Sequence, residues 1–158
     1  MGDQPIVLDA EEGPVTRIPG ETFVVKATGE TTGDHLAFAV GEWAPKHGTP
    51  SHRHPTSSES FFFLSGTFII DIDENEHHVG PGSFAFVPPG AKHRITNIGE
   101  EPGKLIGFFA PAGPEKGFRA VQKRAQELGR FPDIEEVQRI MAEHGTTDPG
   151  PARMRADG

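Results

Sequence analysis

Three histidines and one glutamate carry most of the chemistry that this sequence could perform. His52 and His54 are one residue apart, Glu59 follows after four more, and His93 comes 34 positions beyond Glu59. In an extended segment, residues i and i+2 share a face, so the two imidazoles point one way and Arg53 the other. Glu59 opens a candidate strand on which Phe61 and Phe63 share its face. A carboxylate on such an aromatic face must be paired, protonated or bound to a metal. His93 comes just after Pro88-Pro89-Gly90, a rigid turn that fixes where its strand begins. A lone His-x-His is commonly two solvated side chains; the carboxylate and the third imidazole turn the set toward metal binding. Three imidazoles and a carboxylate form an N3O donor set suited to one divalent transition ion per chain: Fe, Mn, Ni, Co, Cu or Zn. The chain has no cysteine, which excludes thiolate ligands, disulfides and cysteine nucleophiles.

The elements that must position these residues are short strands. The 158 residues include 20 Gly and 15 Pro, a density of turn formers that favours strands over long helices and one domain over two. Candidate strands are Ile6–Leu8, Thr22–Thr28, Leu36–Trp43, Glu59–Leu64, Thr67–Asp73, His77–Val79, Ser83–Val87, His93–Ile98 and Lys104–Ala110. Residues 22–110 are thus expected to form an antiparallel barrel or sandwich behind an N-terminal arm, 1–21. After Pro111 the period changes. Phe118, Val121, Ala125 and Leu128 fall on one helical face, with Pro114 at the start and Gly129 at the end. Asp133 and Glu136 cap a second helix bearing Ile134, Val137, Ile140 and Met141, closed by His144 and Gly145. Both helices of 111–145 are expected to pack outside the barrel, and 146–158 to form a disordered tail.

Net charge is −8, concentrated in residues 1–110, which hold 15 acidic against 7 basic side chains. Without a basic stripe, nucleic acid is excluded as a partner. The longest apolar run, residues 61–64, is far too short to span a bilayer, and the N-terminus lacks the features of a signal peptide. The absence of cysteine fits a reducing cytoplasm.

The spacing resembles the two motifs of the cupin superfamily. His52, His54, Glu59 and Gly66 match G-x5-H-x-H-x3–4-E-x6-G, whose leading Gly falls here on Lys46. Gly82, Pro88, Gly90, His93 and Asn97 match G-x5-P-x-G-x2-H-x3-N in full. The resemblance implies an all-β double-stranded β-helix, or jelly roll, with His52, His54, Glu59 and His93 as metal ligands. One copy of each motif makes a monocupin, for which the family suggests a homodimer; Ile6–Leu8 could add to a sheet edge. The layout is similar to small quercetin dioxygenase-like cupins and to cupin polyketide cyclases.

The interior is expected to be apolar, lined by Phe38, Val40, Phe61, Phe63, Ile95 and one parity of Phe84 and Phe86, with His47 on the loop leading in. Such a lining suits a small aromatic or apolar metabolite carrying an oxygen that can reach the metal. The first reading is a quercetinase-like dioxygenase, an oxidoreductase using O2, with Glu59 as catalytic base. The alternatives are a Zn-dependent polyketide cyclase or isomerase, in which the ion stabilises an enolate, and a non-catalytic small-molecule-binding cupin. His77 and His78 are adjacent in a strand and cannot share one ion; they, His35 and His144 are read as surface or helix-end residues.

Overall fold

The computed structural model describes residues 4–147. Nine antiparallel strands form two sheets. They are β1 (Val15–Ile18), β2 (Glu21–Ala27), β3 (Ala37–Trp43), β4 (Ser58–Ser65), β5 (Phe68–Ile72), β6 (Asn75–Val79), β7 (Phe84–Val87), β8 (His93–Asn97) and β9 (Gly103–Ala110). The larger sheet has the order β1-β2-β3-β9-β4-β7, and the smaller β6-β5-β8. One helical turn, α1 (Gly29–Thr32), lies between β2 and β3; α2 (Glu115–Leu128) and α3 (Ile134–Glu143) follow β9. This is the jelly roll expected, with the two C-terminal helices. No helix among the described residues is long and apolar enough to cross a membrane.

Strand alternation sets the inner face. In β4, Glu59, Phe61 and Phe63 face in; Glu59 pairs with Phe109 and Val87, and Phe61 with Gly107 and Ala85, so those four share the interior. Trp43, Phe61, Phe63, Phe68, Ile70, Ala85, Val87, Ile95 and Leu105 make one buried cluster between the sheets. At its closed end, Gly66 turns the chain at φ +93°, and a Cβ there would meet Gly103 Cα at 2.8 Å, so the turn admits no side chain. Asn97, fully buried, reaches the carbonyls of Trp43, Ala44 and Glu101 with Nδ2 and accepts from Gly99 N–H with Oδ1, tying three turns together.

Three expectations are corrected. Ile6–Leu8 forms no strand, and Val7 is 92% exposed. The sheet edge is taken instead by β1, where Val15, Thr16 and Ile18 favour strand and Pro14 and Pro19 delimit it. Thr146 and Thr147 do not begin a free tail. Arg53 and Thr147 exchange both backbone hydrogen bonds at 2.9 Å, and Thr146 is buried. Residues 148–158, also assigned to that tail, lie outside the described residues.

The helices follow their sequence signals. Asp133 caps α3 by accepting from Glu136 N–H at 2.9 Å. The Glu136 carboxylate does not return to the cap; it takes Arg124 Nε of α2 at 2.6 Å and pins the two helices together. His144 closes α3 with Nδ1 2.8 Å from Ile140 O. Glu115 opens α2 and accepts from Gly29 N–H at 3.0 Å and from Gly113 N–H at 2.6 Å, joining α1 to α2.

Candidate metal centre

The loop between β3 and β4 carries His52 and His54, and backbone bonds to β8 hold it in place. Asn97 N–H donates to His47 O, Thr49 N–H to Ile95 O, and His52 and His93 exchange both bonds at 2.8–2.9 Å. The first part of the loop thus behaves as one more strand beside β8, which sets His52 against His93. His54 is fixed from the other side, its carbonyl accepting from Gly90 N–H at 2.9 Å. Gly90 sits at φ +84°, which explains the glycine in the Pro-Pro-Gly turn. Lys46 occupies the place of the motif's leading glycine and has φ 58°, the left-handed conformation a glycine would adopt without cost. Its side chain caps Ile98 O at 2.8 Å and pairs with Glu100, so the loop keeps its shape despite the departure.

Four side chains converge. His93 Nε2 lies 2.8 Å, His54 Nε2 2.9 Å and His52 Nε2 3.9 Å from Glu59 Oε2. Their ligand atoms all lie within 4.8 Å of one another. Each ring is oriented from behind by a backbone carbonyl: His52 Nδ1 by Pro50 O at 2.8 Å, His54 Nδ1 by Gly145 O at 3.1 Å, His93 Nδ1 by Ala91 O at 3.0 Å. A carbonyl only accepts, so each Nδ1 carries the hydrogen and each neutral ring aims a lone pair at the centre. Three such lone pairs and a carboxylate oxygen repel one another unless a cation or added protons lie between them. The donor set therefore fits a divalent ion, with its orienting hydrogen bonds already in place. Burial opposes the charged form of Glu59; in metal-free protein, where protons on the facing Nε2 atoms take the place of the ion, the hydrogen bonds they make outweigh burial and hold the carboxyl well below its ordinary range.

A cavity of about 80 Å³ opens beside this centre between β2, β3, β9, β4 and α2. His52, Glu59 and His93 reach it, and so do Phe61, Ile95 and Phe38 of the expected lining. Phe38 also stacks on Phe108, with ring centroids 6.2 Å apart. The rest of that lining is corrected. Phe63 is fully buried behind Phe61, against Phe68, and does not reach the cavity. Phe84 and Phe86 are 61% and 53% exposed on the outer face, because the register that turns Glu59 and Phe61 inward turns Val87 and Ala85 inward with them. Val40 lies outside for the same reason: Ala39, Gly41 and Trp43 hold the inner positions of β3. His47 does not line the cavity; it bonds Glu21, which does, at 2.8 Å. His35, His77 and His78 are exposed, as read from the sequence.

The sequence reading missed Glu21, Phe23 and Val25 of β2 and Phe118 of α2, all of which line the cavity. The period-2 run Glu21-x-Phe23-x-Val25-x-Ala27 carried the signal for the first three. Phe118 gave none beyond its apolar stripe.

An N3O cluster inside a jelly roll has the make-up of a cupin-type centre and is able to hold a metal ion. The cupin domain family model matches residues 39–109, and the chain belongs to the cupin superfamily. CurC of Streptomyces cyaneus, described as a polyketide synthase, is 22% identical over 145 residues, covering 90% of this chain and 92% of CurC. An uncharacterised protein of Streptomyces coelicolor is 31% identical over 75 residues, 47% of this chain and 71% of that protein. Among solved structures, KdgF from Halomonas sp. superposes with a TM-score of 0.64 at 15% identity, covering 72% of this chain and 99% of KdgF.

Proposed function

We propose that this chain is a metal-dependent enzyme that moves protons on a small, largely apolar, oxygenated metabolite of polyketide type, closing or isomerising it. The observation that carries this reading is the apolar cavity beside Glu59, with its carboxylate facing the space where a ligand would sit. The similarity to CurC along nine-tenths of the chain favours a polyketide-type substrate over the oxidative cleavage that the sequence reading ranked first. A divalent ion held by His52, His54, Glu59 and His93 would polarise a substrate carbonyl and stabilise the enolate. Glu59, which can shift between its two oxygens, takes the proton from the carbon next to that carbonyl and returns it at the new position. Phe23, Phe61 and Phe109 exclude water from the reacting face. Arg119 is the one cation among the lining residues and is paired with Glu30 at 3.1 Å, so an anionic substrate gains little there. A homodimer in the cytoplasm completes the reading.

The test is a pair of variants with two readouts. Glu59→Gln should retain most of the metal, measured by elemental analysis, and lose turnover of a poly-β-ketone by ~10²–10⁴. His93→Ala should lose metal and turnover together. Consumption of O2 with ring cleavage would replace this reading by the dioxygenase; full activity in Glu59→Gln would remove the glutamate from the chemistry.

A further inference from the structure

A second cavity, about 120 Å³, lies between the barrel and the α2–α3 hairpin. Its walls are mainly apolar, with Ile18 from the barrel facing Val121, Phe131, Val137 and Met141 from the helical side. It shares Glu21, Thr49, His52 and Phe118 with the metal-side cavity, so these four side chains stand where the two chambers adjoin, beside the His–Glu cluster. Phe131 and Ile134, at 38% and 54% exposed, stand at its outer end.

We infer that the two chambers form one elongated binding site, and that the substrate spans both, its oxygenated end at the metal and a second apolar ring under the helical hairpin. Size supports this. The outer chamber, about 120 Å³, is the larger of the two, so a ligand confined to the metal side, about 80 Å³, leaves most of the apolar space unfilled. Chemistry supports it as well. Glu115, the other acidic group of the metal-side wall besides Glu21 and Glu59, is consumed by the Gly29 and Gly113 N–H groups. Glu21 keeps only His47 as a partner among the described residues. The junction is therefore lined by a carboxylate, a threonine, an imidazole and the Phe118 ring, polar enough for a hydroxyl to pass and hostile to an anion. The hairpin then sets the length of substrate accepted, a role distinct from holding the barrel together.

This inference rests on the apolar, oxygenated substrate proposed above, but its test needs no turnover. Calorimetric titration of the metal-loaded protein with phenol and with 4-phenylphenol compares one ring with two in line. The two-ring probe should bind at least ten-fold more tightly. Val137→Trp, which fills the outer chamber, should abolish that gain and leave phenol affinity and metal content unchanged. Gln138→Phe, on the same wall, serves if Val137→Trp fails to fold. Equal affinity for the two probes, or a gain that survives a folded chamber-filling variant, would show the outer space to be a packing gap and overturn the inference. If 4-phenylphenol binds as expected and no poly-β-ketone turns over, the proposed reaction falls and the two-chamber site stands.

Discussion

At Glu59, burial and hydrogen bonding act in opposite directions, and the three imidazoles win. The consequence for stability has a definite sign. A carboxyl whose folded pKa is depressed contributes above its unfolded pKa of about 4.3, and the contribution is lost as pH falls through the lower folded value. Chelator-treated wild-type protein should therefore lose stability steeply below about pH 4, and Glu59→Gln should show a flatter acid limb, with urea midpoints as the measurement. The same residue was legible in the sequence because its type conflicts with its neighbours: an acid alternating with Phe61 and Phe63 demands a partner. The orienting carbonyls of Pro50, Ala91 and Gly145 were not legible, since backbone groups carry no side-chain signature. Lys46 shows the opposite case, where the residue type departs from the motif and the backbone conformation keeps to it.

Among the elements, the start of α2 depends on Glu115 more than on any helix-forming propensity. Pro114 caps the helix without a side-chain hydrogen bond, and Glu115 supplies acceptors for Gly29 and Gly113 instead. Glu115→Ala leaves two amides without partners in a largely buried place and should cost about 2–3 kcal/mol, read from the shift in urea midpoint. Strands with a period-2 pattern and clear turns were readable nearly residue by residue, as β4, β7, β8 and β9 show. Which face of a strand looks inward was readable only where a chemical marker lay on it. β7 had aromatic residues at Phe84 and Phe86 and none of the markers, and its inner face follows from pairing with β4, a long-range fact absent from any local window. The edge strand β1 was missed because four residues between prolines give too short a run.

On the scale of the whole molecule, that outward aromatic face is where the proposed homodimer would form. Val24, Val40, Ile106, Phe62 and Phe84 lie in register across β2, β3, β9, β4 and β7, a row of apolar side chains running the width of the sheet. Phe62 and Phe84 are 40% and 61% exposed. An apolar row of this kind would be self-complementary about a two-fold axis, so a second copy of the chain is the occupant proposed for it. Light scattering should give twice the 17.1 kDa of one chain, and Phe84→Asp should halve that mass without loss of metal; a monomeric wild type would remove this interface. The end of α3 has a different reach. Because His54 Nδ1 is bonded to Gly145 O, with Thr146 Oγ1 at 3.3 Å, the tautomer of this candidate ligand depends on the docking of the chain's last described residues. Ion uptake and the docking of that segment are then thermodynamically linked: whatever favours one favours the other by the same free energy. Amide hydrogens of Gly145, Thr146 and Thr147 should exchange more slowly once zinc is added, and a peptide tag fused close behind Thr147 would weaken the ion's hold from outside the barrel.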